Sequence, residues 1–113
     1  MLLFFKTKKL QKICSDARVM QAQLGPVMAR KLQQRMMELK AGDTLADISH
    51  LPPPRCHELT NDRAGQFSVD LEHPYRLLFV PADDPIPYRE DGGVDLERVR
   101  EIEIIAIEDT HGK

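Results

Sequence analysis

The spacing of apolar and polar positions changes along this chain of 113 residues. A short apolar run at residues 2–5 precedes a lysine-rich segment, which predicts a first strand followed by a helix. Over residues 10–24 and 27–40 apolar residues recur every three or four positions, as they do on one face of a helix. Over residues 67–80 the period is about two, which is typical of strands. The chain therefore predicts a strand, two helices and then further strands.

Several residues mark the expected ends of the helices. Gly25 and Pro26 interrupt the helical pattern, and we expect the two helices to meet there, because glycine favours a helix end and proline a first turn. Gly42 is expected to end the second helix. Arg35 is predicted to lie on the outer, polar face of that helix. Residues 43–50 are expected to form a turn or a single helical turn.

The second half of the chain has the composition of a sheet. Residues 52–54 are three prolines, which cannot donate ladder hydrogen bonds, so the sheet is expected to begin after them. Residues 67–71 and 75–80 predict an antiparallel hairpin, and residues 102–107 a last strand. This order indicates an α+β domain, with a helical pair packed on one face of a mostly antiparallel sheet of about four to five strands. The other face would stay open, and a binding surface carrying His57, Arg76 or Asp109 could form there.

Residues 81–95 interrupt the strand pattern before the last strand. They are rich in proline, glycine and acidic residues, and this composition predicts an exposed loop that is the segment most prone to disorder.

Charge is divided unevenly along the chain. Nine basic and two acidic residues up to Lys40 give that part a charge of +7, whereas the whole chain carries −2 and the remainder therefore −9. A basic face of this kind could meet phosphate groups or an acidic partner. The alternative is that Lys and Arg simply solvate the outer faces of two amphipathic helices.

The cysteines and the apolar segments bear on the cellular compartment. Cys14 and Cys56 match no metal-binding spacing and are expected to be free thiols in a reducing cytoplasm. The apolar start of the chain is far shorter than the roughly 20 residues that span a bilayer. We expect a cytoplasmic protein with no membrane association.

Four segments together resemble a known family. They are FFKTKKLQKI near the start, RCHELTNDRAGQFSV at 55–69, YRLLFV at 75–80 and the final EDTH. In this order they resemble the HigB-like toxins of the RelE/ParE superfamily, also called plasmid maintenance killer proteins. The resemblance covers nearly the whole chain as a single domain, 1–113, except an acidic insertion at about 81–97.

The resemblance implies a fold, an activity and partners. It implies a RelE-like fold and a ribosome-dependent endoribonuclease that cleaves messenger RNA. It also implies a cognate HigA-type helix-turn-helix antitoxin, and no metal or other cofactor. The alternative within the superfamily is a non-catalytic binder, either a gyrase poison or a degenerate toxin that only binds its antitoxin.

The resemblance also implies site residues. RNA cleavage without a metal needs a base for the ribose 2'-hydroxyl and an acid for the leaving 5'-oxygen, and histidine suits both tasks near neutral pH. His57 and His111 match the family's histidines and are the candidate acid and base, with Asp109 as the candidate that orients a histidine or the sugar. Arg76 and Arg63 are candidate phosphate clamps.

Further residues belong to the same prediction, and two alternatives apply to it. The basic first helix is expected to bind the antitoxin, RNA or both through Lys8, Lys9 and Lys12. Without the resemblance, His57 reads as a hydrogen-bonded histidine at a strand edge. Arg76 could equally be an ordinary arginine that pairs with Asp70 or Glu72 across the hairpin.

Overall fold

Residues 1–109, the part of the chain that the computed structural model describes, form two helices and a five-stranded mixed sheet. The strands are β1 Leu2–Phe5, β2 His57–Glu58, β3 Phe67–Asp70, β4 Tyr75–Pro81 and β5 Glu101–Asp109. The helices are α1 Lys8–Ser15 and α2 Ala17–Ala41, and short 3-10 turns occur at Leu45–Asp47, Asn61–Arg63 and Leu96–Arg98.

The strands follow the order β1-β5-β4-β3-β2 across the sheet. Three neighbouring pairs are antiparallel, including the predicted hairpin of β3 and β4, and β1 runs parallel to β5. The prediction of an α+β fold with a mostly antiparallel sheet is therefore confirmed. In this parallel pair the first strand lies beside the last one. β1 is therefore one edge strand of the sheet, and β2 is the other edge strand.

The helical part of the chain breaks at Asp16, between α1 and α2, which the sequence pattern did not predict. The Asp16 carboxylate accepts hydrogen bonds from the backbone N–H groups of Arg18 (3.0 Å) and Val19 (3.4 Å), and so caps the start of α2. Gly25 has a non-helical backbone, with φ 80° and ψ 166°, so two helical segments of α2 meet there at a kink. The predicted meeting point of two helices at Gly25 and Pro26 is therefore confirmed, and Asp16 adds a second break.

Replacing Asp16 by alanine is expected to lower the free energy of unfolding by roughly 0.5–2 kcal/mol, because the variant leaves the first N–H groups of α2 without their acceptor. Asp16→Asn is the matched control, since asparagine is an equally good capping residue. Urea denaturation of the three proteins measures the difference. Equal losses in the alanine and asparagine variants would show that the cap is not the cause.

Arg35 is buried, contrary to the predicted outer position. It is 5% exposed, and its Nε donates to the backbone carbonyl of Asp70 at 2.8 Å. Its Nη1 donates to both carboxylate oxygens of Glu38, at 2.9 and 3.0 Å. A buried guanidinium requires such acceptors, because an unpaired buried charge is costly. Arg35 thereby fastens α2 to the end of β3.

The core lies between the helices and one face of the sheet. Phe67 and Phe79 stack there with ring centroids 6.0 Å apart. The helices contribute Leu32 and Leu39, which are fully buried, while Val27 of the predicted apolar stripe is 42% exposed. Neither described helix is apolar enough along its length to cross a membrane.

The acidic loop is less exposed than its composition indicates. Pro87 and Val94 are buried, and Tyr88 forms an isolated antiparallel bridge with Val94. The Arg89 N–H donates to the Gly93 carbonyl at 2.7 Å, so the tip of the loop is a small hairpin-like turn. The expectation of a wholly exposed loop is wrong for these residues. The polar side chains are solvated while a few apolar ones pack inward.

Candidate functional site

The register of the sheet places His57 and Arg76 on the same face. His57 lies opposite Ser68 in the pairing of β2 with β3, and Arg76 lies opposite Asp70 in the pairing of β3 with β4. Ser68 and Asp70 are two residues apart on one strand and so point to the same side. His57, Arg76 and Asp70 therefore share the face of the sheet that does not carry the core.

The hydrogen bonds of His57 identify which ring nitrogen carries the proton. Nδ1 lies 2.9 Å from the backbone carbonyl oxygen of Arg55, and a carbonyl can only accept, so Nδ1–H is the donor. Nε2 lies 3.5 Å from Nη1 of Arg76, and a guanidinium can only donate, so Nε2 is the acceptor. These contacts favour the neutral tautomer of His57 with the proton on Nδ1, in which Nε2 is an acceptor beside a cationic side chain.

Asp70 lies between two arginines. Its carboxylate accepts two hydrogen bonds from Arg55, from Nε at 2.7 Å and from Nη2 at 3.0 Å, and this pair is the bidentate one. Nε of Arg76 lies 3.7 Å from Oδ1 of Asp70. The pairing of Arg76 with Asp70, which the sequence offered as an alternative to a functional role, is confirmed. It does not exclude such a role, because a guanidinium carries five N–H donors.

A cleft of about 480 Å³ opens beside His57 and Arg76. Its remaining lining comes from the segment that follows β2, which contributes Glu58, Leu59, Thr60, Asn61, Asp62 and Arg63. Nη1 of Arg63 reaches across the sheet to Oε1 of Glu108 on β5, at 2.7 Å. This bridge holds the segment over the open face. Two arginines and two carboxylates line the cleft, so its formal charges balance.

Three of the predicted site residues meet in this cleft, namely His57, Arg76 and Arg63. Asp109 lies opposite Tyr75 in the sheet, one residue beyond the partner of Arg76, so strand alternation puts it on the other face. His111 lies outside the described residues. The convergence of all four predicted catalytic residues is therefore not what residues 1–109 show.

The predicted basic residues of the first helix lie away from the cleft. Lys8, Lys9 and Lys12 are exposed on α1, which packs against α2, and none of them lines the cleft of His57. Lys9 instead lines a separate, mostly apolar groove of about 570 Å³ between the helices and β5. The basic surface and the cleft are two different surfaces.

Residues 55 and 70 complete the site and were not predicted as part of it. The sequence does contain a signal for Asp70. It alternates with the apolar residues Val69 and Leu71 in the predicted hairpin, and in that hairpin it lies opposite Arg76. Arg55 gave no such signal, because its left-handed backbone, φ 48°, is not a position that sequence periodicity predicts for arginine.

The two cysteines are buried free thiols, and neither of them lines the cleft of His57. Burial raises the pKa of Cys14 and of Cys56 to about 11. Both thiols are therefore protonated near neutral pH, and the protonated form is a weak nucleophile. Within the described part of the chain, no cluster of three or more His, Cys, Asp or Glu side chains is arranged to hold a metal ion.

No protein-family model matches the chain, and no curated protein matches it significantly. The fold and the cleft are therefore the observations from which a function can be argued.

Proposed function

We propose that the protein is a HigB-like toxin with a RelE-like fold, which cleaves messenger RNA on the ribosome by acid–base chemistry. The observation that carries the proposal is the position of Nε2 of His57, held beside the guanidinium of Arg76 in an open cleft while Nδ1 lies against a backbone carbonyl. A base and a phosphate-binding cation at this distance are what transfer of a phosphoryl group to the 2'-hydroxyl requires.

The proposed reaction assigns one role to each group. Nε2 of His57 takes the proton of the ribose 2'-hydroxyl, and the 2'-oxygen forms a bond to phosphorus while the bond from phosphorus to the 5'-oxygen breaks. Arg76 donates to the phosphate oxygens as negative charge grows on them. A general acid, for which His111 stays the candidate, gives a proton to the leaving 5'-oxygen. The products are a 2',3'-cyclic phosphate and a 5'-hydroxyl.

The arrangement of Arg63 suits the binding of RNA at the cleft mouth. It is bridged to Glu108 on a partly exposed surface, where an ion pair contributes only about 0–1 kcal/mol. A phosphate group can therefore replace Glu108 as the partner of Arg63 at small cost. The formal charges of the cleft lining sum to zero, so the cleft has no strong positive potential that would attract RNA by itself. RNA binding is therefore expected to depend on the ribosome, which presents the message to the cleft.

The test is cleavage of a defined messenger RNA by the purified protein, with programmed ribosomes and with the same RNA alone. We expect cleavage only with ribosomes, and a 2',3'-cyclic phosphate end on the upstream fragment. No cleavage at a stoichiometric amount of protein would refute the proposal.

A second candidate is a non-catalytic binder of the same superfamily. The observation that favours it is that both cleft arginines already contact carboxylates, Arg63 with Glu108 and Arg76 with Asp70. Inhibition of DNA supercoiling by gyrase, without cleavage of the message, would support this candidate instead.

A partner is part of the proposal. The groove between the helices and β5 is lined mainly by apolar residues, including Leu10, Ile13 and Ile107, together with Lys9. Such a groove fits an amphipathic segment with acidic residues. In the proposed toxin, a HigA-type antitoxin supplies that segment, at a surface separate from the cleft.

A further inference from the structure

Arg55 contacts two residues of the candidate site, His57 and Asp70, through different atoms. Its backbone carbonyl accepts the Nδ1–H of His57 at 2.9 Å, and its guanidinium makes two hydrogen bonds to Asp70. Asp70 in turn lies 3.7 Å from Arg76, whose Nη1 is 3.5 Å from Nε2 of His57. These contacts form a closed ring of four residues that begins and ends at Arg55.

The backbone at Arg55 is what allows this double contact. Its φ of 48° lies in the left-handed region, which residues with a Cβ seldom adopt. The conformation is held on both sides, because the Arg55 N–H donates to the Leu51 carbonyl at 3.0 Å before it, and the Cys56 N–H donates to the Ser49 carbonyl at 2.9 Å after it. The carbonyl of residue 55 is thereby turned toward the imidazole ring that follows two residues later.

The guanidinium of Arg55 also limits how closely the carboxylate of Asp70 can pair with Arg76. Both carboxylate oxygens of Asp70 accept from Arg55 at 2.7 and 3.0 Å, whereas Arg76 remains at 3.7 Å. Without Arg55, the carboxylate would be free to pair fully with Arg76. Such a pairing would draw the guanidinium of Arg76 away from His57 and out of the position from which it can meet a phosphate.

We infer that Arg55 is a positioning residue, which fixes the protonated nitrogen of His57 through its carbonyl and keeps Asp70 from capturing Arg76 through its guanidinium. The inference rests on the proposed function for its effect on cleavage. The two structural consequences, the ring tautomer and the placement of Arg76, can be measured without it.

The first measurement is the tautomer of His57 in the ¹⁵N-labelled wild-type protein. Long-range ¹H–¹⁵N spectra of the neutral ring are expected to show a protonated Nδ1 and an unprotonated Nε2. A predominant Nε2–H tautomer, or an average of the two, would overturn the role of the Arg55 carbonyl.

The second measurement uses Arg55→Gly, which keeps the carbonyl and tolerates the left-handed backbone but removes the guanidinium. The His57 tautomer is expected to stay as in the wild type, while the Arg76 Nε–H resonance shifts. The maximal cleavage rate on ribosomes is expected to fall about 10- to 100-fold with little change in KM, because a small misplacement of a reacting group costs that much. An unmoved Arg76 resonance together with a wild-type rate would overturn the role of the guanidinium.

Two further variants separate positioning from a loss of charge. Arg55→Lys retains the charge but cannot bridge both oxygens of Asp70, so an intermediate rate is expected. Arg100→Ala removes an exposed arginine away from the cleft and is expected to cleave as the wild type does. If the wild-type protein cleaves no message at all, the proposed function fails, and the tautomer and the Arg76 resonance still decide whether Arg55 positions the pair.

Discussion

Replacing His57 by alanine is expected to lower the rate of the proposed messenger RNA cleavage on the ribosome by about 100- to 10,000-fold, the range that general acid–base catalysis contributes. The physical reason is the loss of Nε2, which is the unprotonated acceptor beside Arg76 in the cleft. The measurement is a single-turnover cleavage assay with excess protein, which separates the chemical step from binding.

Two further variants test whether the loss of cleavage is due to the missing base at position 57. His57→Asn can still donate to the Arg55 carbonyl but offers no base, so it is expected to be as inactive as the alanine variant. His50→Ala removes an exposed histidine of the preceding turn and is expected to retain full activity. Cleavage by His57→Ala within threefold of the wild-type rate would show that the cleft histidine is not the base.

Replacing Phe79 by alanine is expected to lower the free energy of unfolding by about 3–5 kcal/mol, which is a large part of the stability of a domain of this size. Phe79 is 0% exposed and stacks on Phe67, so the variant loses buried apolar surface and leaves a cavity. Guanidinium denaturation monitored by circular dichroism measures the change.

Phe4 offers a matched control for the same substitution. It is 47% exposed on the edge strand β1, and Phe4→Ala is expected to cost much less, of the order of 1 kcal/mol. A loss in Phe79→Ala no greater than that in Phe4→Ala would mean that the core between helices and sheet does not pack as described.

The outline of the fold was predictable from the sequence because single elements carry strong local signals. Residues 67–80 alternate with a period of two around a short turn, so the β3–β4 hairpin follows from the pattern itself. The alternation also fixed Arg76 and Asp70 on a common face. The parallel pairing of β1 with β5 was not predictable, because it joins residues about one hundred positions apart and no local pattern specifies it.

The errors have local physical reasons. The break at Asp16 was missed because a capping aspartate is a weaker sequence signal than the glycine and proline at 25 and 26, where the predicted break does occur. Arg35 is polar by residue type, yet it is buried because a backbone carbonyl of β3 and a carboxylate of its own helix both accept from it. Hydrophobic periodicity shows neither a helix cap nor the hydrogen-bond acceptors that allow a polar side chain to be buried.

The site was predictable in part. The position of His57 at the start of a strand placed it near Arg76 once the hairpin was known, and the structure brings Arg63 to the same cleft. Arg55 was not foreseeable as part of the site, since its contacts depend on a left-handed backbone. Of the other two predicted catalytic residues, Asp109 lies on the other face of the sheet and His111 lies beyond the described residues.

The parallel pairing of β1 with β5 has a consequence for the order of events during synthesis. β1 is made well before its strand partner, Glu101–Ile104, because the two lie about one hundred residues apart in the chain. Glu108, which holds Arg63 over the cleft, lies on the same late strand. A nascent chain on the ribosome therefore has neither a complete sheet nor a closed cleft until translation has passed residue 108, and contacts of such long range form slowly.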